Sequence, residues 1–224
     1  MMGSFGRQIM AVLARDLLLE WRTKDALTAM LVFALLVLVT FDFALDLRPE
    51  IMSAVGPGVL WVAVVFASTI GLGRTFAVER DSGTLDGLLL APLDRSALFL
   101  AKLAGNLIVM AIMEIVTLVA FAVLFNVPVD PAPVLLIALL GAIGIAAVGT
   151  LFSAVASHTR AREVMLPVLL FPVIVPVLIG GVQATGVALG NPVARDMPWL
   201  SLLAAFDAVY VAAGAIMFEY VLEE

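Results

Sequence analysis

Two acidic residues stand where acids are costly. Glu114 lies in the run Met110-Ala-Ile-Met-Glu-Ile-Val116 and Asp207 in Ala204-Ala-Phe-Asp-Ala-Val-Tyr210, each flanked by apolar side chains. An Asp at the centre of a membrane helix costs roughly 2.5–3.5 kcal/mol on insertion scales, so each carboxylate needs a hydrogen-bond partner, a proton or a polar cavity. No Lys or Arg sits mid-run to pair with them, and Thr117, Asn106 and Ser201 are the neighbours expected to serve them. Proton binding is the chemistry such acids offer. Other reactive side chains are sparse. His158 is the sole histidine and falls between two apolar runs, a poor haem or metal ligand by itself, and the ten methionines are scattered as packing residues. The chain has no cysteine, which excludes disulfides, thiolate metal sites and covalent haem attachment on it. Gly71-Leu-Gly-Arg-Thr75 has neither the spacing nor the lysine of a phosphate-binding loop. No Ser/His/Asp or paired-carboxylate set shares an extramembrane segment. The expectation is a non-catalytic chain that binds no metal and no cofactor of its own.

The elements that must hold these residues are membrane spans. Of 224 residues 63% are hydrophobic and 13% charged, whereas soluble domains carry roughly a quarter charged residues. The apolar residues gather into six stretches near the ~20 residues that cross a hydrocarbon core. They run over Ala26–Leu45, Val55–Leu72, Leu98–Phe125, Val134–Ala156, Val164–Leu189 and Trp199–Leu222. The fold expected is all-α and polytopic, with six transmembrane helices over 26–224 preceded by an amphipathic interfacial helix over 1–25. Arg7, Arg15, Asp16, Glu20, Arg22, Lys24 and Asp25 leave no room for a cleavable signal core. The net charge of −6 argues against nucleic acid as a partner.

Ten of the twelve basic residues fall before the first span or in the second and fourth connections, leaving Arg48 and Arg195 on the other side. The positive-inside rule then puts the N-terminus in the cytoplasm, and six crossings return the C-terminus there. Asp42 and Asp46 sit near the outer end of the first span and read as interface residues.

Over Phe5–Lys24 the chain reads as a surface helix, with Arg7, Gln8, Arg15 and Arg22 on one stripe and Phe5, Ile9, Val12, Leu13 and Leu19 on another. Asp16 and Glu20 fall on the greasy side, where they need a polar partner from a neighbouring chain or loop. The longest cytoplasmic connection contains Glu79-Arg-Asp-Ser-Gly-Thr-Leu-Asp-Gly-Leu-Leu-Leu-Ala-Pro92. Asp81 or Ser82 can cap a short helix there, Leu85, Leu88 and Leu89 share one face, Pro92 stops it, and Asp94 caps the next helix. That leucine face packs back on its own spans or docks into a groove on a partner protein.

In the fourth span Ala138, Ala142 and Ala146, with Gly141, Gly144 and Gly149, predict close helix approach. In the fifth, Pro167, Pro172 and Pro176 followed by Gly180 and Gly181 predict a kinked or broken helix and a candidate hinge.

The segment Glu79 to Leu93 resembles the coupling segment of ABC export permeases. Gly56-Pro-Gly-Val-Leu-Trp-Val62 and Leu170-Phe-Pro-Val-Ile-Val-Pro-Val-Leu-Ile179, with the Phe206-Asp207 pair, are similar to the CcmB family, haem exporter protein B of cytochrome c maturation. The resemblance implies a permease subunit in a bacterial inner membrane, paired with a second copy. It implies a separate ATPase, CcmA, that holds the ATP, together with CcmC, CcmD and the release of haem-loaded CcmE, with haem as a possible substrate. The ATPase-coupling residues it carries over are Glu79, Arg80, Asp81, Gly83, Thr84, Leu85, Leu88, Leu89 and Pro92. Three alternatives stay open: a general ABC exporter of lipid, drug or polysaccharide, an ion-coupled secondary transporter using Glu114 and Asp207, and a passive assembly subunit.

Overall fold

Each apolar run of the sequence is one long helix. The structure, a computed structural model, describes residues 2–44, 49–81, 83–84, 87, 93–127, 130–157, 159, 161–191, 194 and 197–222. In order the helices are α1 (Met2–Thr23), α2 (Asp25–Ala44), α3 (Pro49–Gly73), a short α4 (Ala77–Asp81), α5 (Arg95–Leu124), α6 (Pro131–Ser157), α7 (Arg162–Ala188) and α8 (Trp199–Leu222). Six of them, α2, α3 and α5 to α8, are long and apolar enough to cross a membrane.

The ends of these helices follow local chemistry. Lys24 adopts a left-handed conformation (φ 57°) that separates α1 from α2. The Glu20 side chain accepts the Leu27 N–H at 2.9 Å, covering one of the donors left open in the first turn of α2. Asp94 caps α5 as its position predicts, its side chain accepting the Ser96 N–H.

The fourth span is central. Helix α6 packs on α3, α5, α7 and α8, while α2 packs on α3 and α5. Its small residues do what their spacing predicts. Gly149 meets the Leu72 side chain, and Gly144 lies against Asp207, Val177 and Phe206. The buried Trp61 indole lies over both Gly141 of α6 and Gly181 of α7, and its Nε1–H donates to Thr185 Oγ1 at 2.9 Å. Three spans thus close on one ring. At one end of the bundle Phe218 of α8 meets Phe76 at 5.9 Å and Phe99 of α5 at 5.3 Å between ring centroids, and Ser96 Oγ donates to the Ala215 carbonyl. The last turns of α8 therefore lie at the same end as the start of α5.

Of the kinked or broken helix expected in the fifth span, the break does not occur: α7 runs as one helix from Arg162 to Ala188 through Pro167, Pro172 and Pro176. A proline removes one backbone donor but leaves the flanking ladder, and packing against α3, α6 and α8 holds the segment helical.

A Cβ at Gly141 or Gly181 would overlap the Trp61 ring, whereas one at Gly58 meets nothing within 4 Å. Gly141→Ala and Gly181→Ala should each lower stability by about 1–3 kcal/mol through overpacking. Gly58→Ala should be neutral or mildly stabilising, as expected for Gly to Ala inside a helix. Thermal unfolding of the detergent-solubilised protein checks both. Equal melting temperatures for the three variants would contradict the Trp61 clamp.

Candidate functional site

The middle of the apolar stripe of α1 is turned to protein, while Leu19 at its far end is exposed. Val12 is buried, Ile9 packs against the core, and Leu13 lies beside Gly105 of α5. Met10, Leu18 and Trp21 are on the exposed side instead. Docked this way, α1 carries Asp16 against the second turn of α5, where Lys102 is only 4% exposed. A buried ammonium requires anions, and two are supplied by separate elements.

The result is a closed ring of alternating charge. Arg15 Nη2 meets Asp16 Oδ1 at 2.8 Å, and Lys102 Nζ meets Asp16 Oδ2 at 2.9 Å. Glu79 Oε1, from α4, pairs with Lys102 Nζ and, at 2.7 Å, with Arg15 Nη2. Lys102 Nζ also reaches the Thr75 carbonyl at 3.3 Å and lies 5.2 Å from the Phe76 ring centroid, a cation–π contact. The four side chains sum to zero charge, which lets the ring sit partly buried.

One turn along α5 from Lys102, Asn106 continues the polar contacts inward. Its Oδ1 accepts from Thr75 Oγ1 at 3.1 Å and its Nδ2 donates to Thr150 Oγ1 of α6 at 2.9 Å. Ser153 Oγ, also of α6, donates to the Leu72 carbonyl at 2.8 Å. The segment that begins at Glu79 is thus tied to α1 and α5 by charge, and α5 to the central span by an amide.

The expected coupling residues divide. Glu79 is buried and faces inward, while Arg80, Gly83 and Thr84 are exposed. Gly83 holds a left-handed conformation (φ 69°) just after Asp81 ends α4. Leu85, Leu88, Leu89 and Pro92 lie outside the described residues, as does His158.

Glu114 and Asp207 are 3% and 6% exposed. Their expected partners are engaged elsewhere: Thr117 Oγ1 donates to the Met113 carbonyl, Asn106 serves Thr75 and Thr150, and Ser201 is exposed. Among the described residues Glu114 Oε1 and both Asp207 oxygens have no hydrogen-bond partner. The two acids are also not brought together. Glu114 borders a small void with Trp61 and Thr185, whereas Asp207 lies against Gly144.

Sequence reasoning missed Lys102, which reads there as one more loop cation. The available signal was Asp16, an acid on the apolar side of α1 in need of a partner. That partner comes from the same chain.

These features define an all-α, multi-pass membrane protein with a charge-anchored segment at one end. A family model described as CcmB protein matches residues 7–223, and the chain belongs to that family. It is similar to Heme exporter protein B of Rhodobacter capsulatus, 30% identical over 208 residues that cover 90% of this chain and 92% of that protein. It is also similar to Heme exporter protein B of Paracoccus denitrificans, 30% identical with 90% and 92% coverage. With that of Pseudomonas aeruginosa the identity is 28%, covering 87% and 88%.

Removing Lys102 should leave two carboxylates to share Arg15. Lys102→Met is expected to destabilise by about 3–5 kcal/mol, the usual consequence of breaking a buried pair. The double variant Lys102→Met/Glu79→Gln should recover at least about 1 kcal/mol of that loss, because neighbouring charges couple. A thermal-unfolding cycle of wild type, both single variants and the double measures it. Additive losses would show that the two groups do not interact.

Proposed function

We propose that this chain is the membrane subunit of an ATP-driven haem export complex of cytochrome c maturation, and that the segment 79–93 receives force from a separate ATPase, CcmA. The observation that carries this reading is the ring of Arg15, Asp16, Glu79 and Lys102. A segment that takes up force must be fixed to the spans it moves, and Glu79 is fixed to α1 and α5 by two cations. The relatives named Heme exporter protein B supply the substrate class, haem. Glu79 then acts as a positioning residue, holding the segment from inside while Leu85, Leu88 and Leu89 meet the ATPase.

In this reading two copies of the chain lie in the bacterial inner membrane with both termini cytoplasmic, each with one ATPase. CcmC and CcmD complete the assembly, and the output is release of haem-loaded CcmE. Pro167, Pro172 and Pro176 give α7 three missing backbone bonds, which makes it the candidate hinge.

A second reading is favoured by the unpartnered carboxylates of Glu114 and Asp207, namely transport driven by protons instead of ATP. An ATPase-dead partner separates the two. Output that persists with it supports ion coupling, and output that stops supports the first reading.

Leu88→Asp should reduce co-purification of the ATPase at least about tenfold, the effect of losing ~1.4 kcal/mol of binding. Membrane insertion should be unchanged, and haem-loaded CcmE should accumulate. Intact complex assembly in that variant would remove the docking role of the segment.

A further inference from the structure

Beneath the charge ring lies a half-open cavity of about 210 Å³ between α1, α2, α5 and the end of α3. It is amphipathic. Its floor includes Met30, Val109 and Met110, and its inner wall carries Thr75 and Asn106. Glu20, Asp25 and Arg74 line it as well, with Asp25 and Arg74 paired at 3.0 Å at an exposed position. Polar groups above an apolar floor, at the junction of a surface helix and the first turns of the spans, match the depth of lipid headgroups.

The charge lining the cavity selects among lipids. Asp16, Glu20, Asp25 and Glu79 face it, against Arg74 and Lys102. Asp16, Glu79 and Lys102 belong to the ring, which Arg15 makes neutral, and Asp25 is balanced by Arg74. Among the described lining residues the Glu20 carboxylate is left as the uncompensated charge, with one oxygen committed to the Leu27 N–H. A lipid with net negative charge is therefore repelled. A zwitterionic one finds an anion for its amine in Glu20 and a cation for its phosphate in Arg74. An ammonium with N–H donors can hydrogen-bond these carboxylates, while a trimethylated one cannot. The volume is below the ~300–1,000 Å³ of pockets that enclose a whole drug-sized ligand, so it suits a headgroup whose chains leave along the spans.

We propose that this cavity is a specific site for a phosphatidylethanolamine-class lipid, its ammonium at Glu20 and Asp25, its phosphate at Arg74 and its first acyl carbons over Met30 and Val109. The site is independent of whether the chain couples to an ATPase. A bound lipid would fill the space under α1 and brace the helix that carries Asp16.

The test is native mass spectrometry and thermal unfolding of the purified full chain, delipidated in detergent and titrated with phosphatidylethanolamine, phosphatidylcholine or phosphatidylglycerol. One phosphatidylethanolamine should be retained per chain, with at least about tenfold preference over the other two and a rise in melting temperature. Glu20→Gln keeps an acceptor for the Leu27 N–H but removes the charge, and should erase the preference without unfolding the protein. Ala26→Leu, which adds bulk at the cavity wall, should weaken retention of phosphatidylethanolamine independently of charge. Equal retention of all three lipids, the mark of annular lipid only, overturns the proposal. So does preference for phosphatidylglycerol, or a Glu20→Gln protein that still selects phosphatidylethanolamine.

Discussion

A lysine ammonium with 4% exposure cannot be left alone in a membrane protein, and Lys102 organises the basic end of this one. Its two carboxylate partners come from helices that two spans separate in sequence, Asp16 from α1 and Glu79 from α4. Arg15 closes the ring by touching both acids. Separating any of the three elements would expose an unmatched charge to surroundings that solvate it poorly, so the ring fixes where α1 lies and where the segment after α3 begins. The ring is also directional. Apolar contacts between α1 and α5 tolerate sliding, whereas a guanidinium and an ammonium shared between two carboxylates define one register.

Cohesion in the middle of the bundle is of another kind. There the indole of Trp61 fills the space that two glycines vacate, and a single hydrogen bond to Thr185 fixes its orientation. Small residues let helix backbones approach closely where lipid offers no hydrophobic drive for association. The bundle thus has a polar, charge-matched end and a close-packed middle. Asn106 and Thr150 form the polar contact between α5 and α6 that leads from the first toward the second.

The membrane helices were legible in the sequence because the bilayer imposes a length and a composition on every crossing. Run boundaries at Val134 and Ala156, for example, sit within a turn of the ends of α6. Asp94 and the glycines of the fourth span were legible for the same reason, since each answers a local requirement. The site was only half legible. Asp16 and Glu20 stood out as misplaced acids, but their partners, Lys102 and the Leu27 N–H, follow from how α1 docks and from the turn at Lys24. Those are tertiary facts with no local signature. The prolines of α7 were legible as weak points but did not say whether the helix would break. Their effect on an isolated helix is strong, yet three neighbouring spans hold α7 continuous.

The contrast between the ring and the two intramembrane acids bears on how the molecule can move. A charge network whose members are all matched resists opening, so elements joined by it move together. Helix α1, the start of the 79–93 segment and the first turns of α5 form such a unit. Among the described residues Glu114 and Asp207 have no such partner, and each lies against a different neighbour, so neither ties helices together by charge there. If the segment takes up force as proposed, the ring passes its displacement to α5, and Asn106 and Thr150 link α5 to α6. Helix α6 packs on α7 and α8, so the proline-bearing span lies one helix further on. The hydrogen bonds that Pro167, Pro172 and Pro176 omit make α7 the span whose shape is least fixed by its own backbone. Under the proposed function, a stiff unit at the point of entry and a softer helix two contacts away would let a small push at the surface become a change of shape within the membrane.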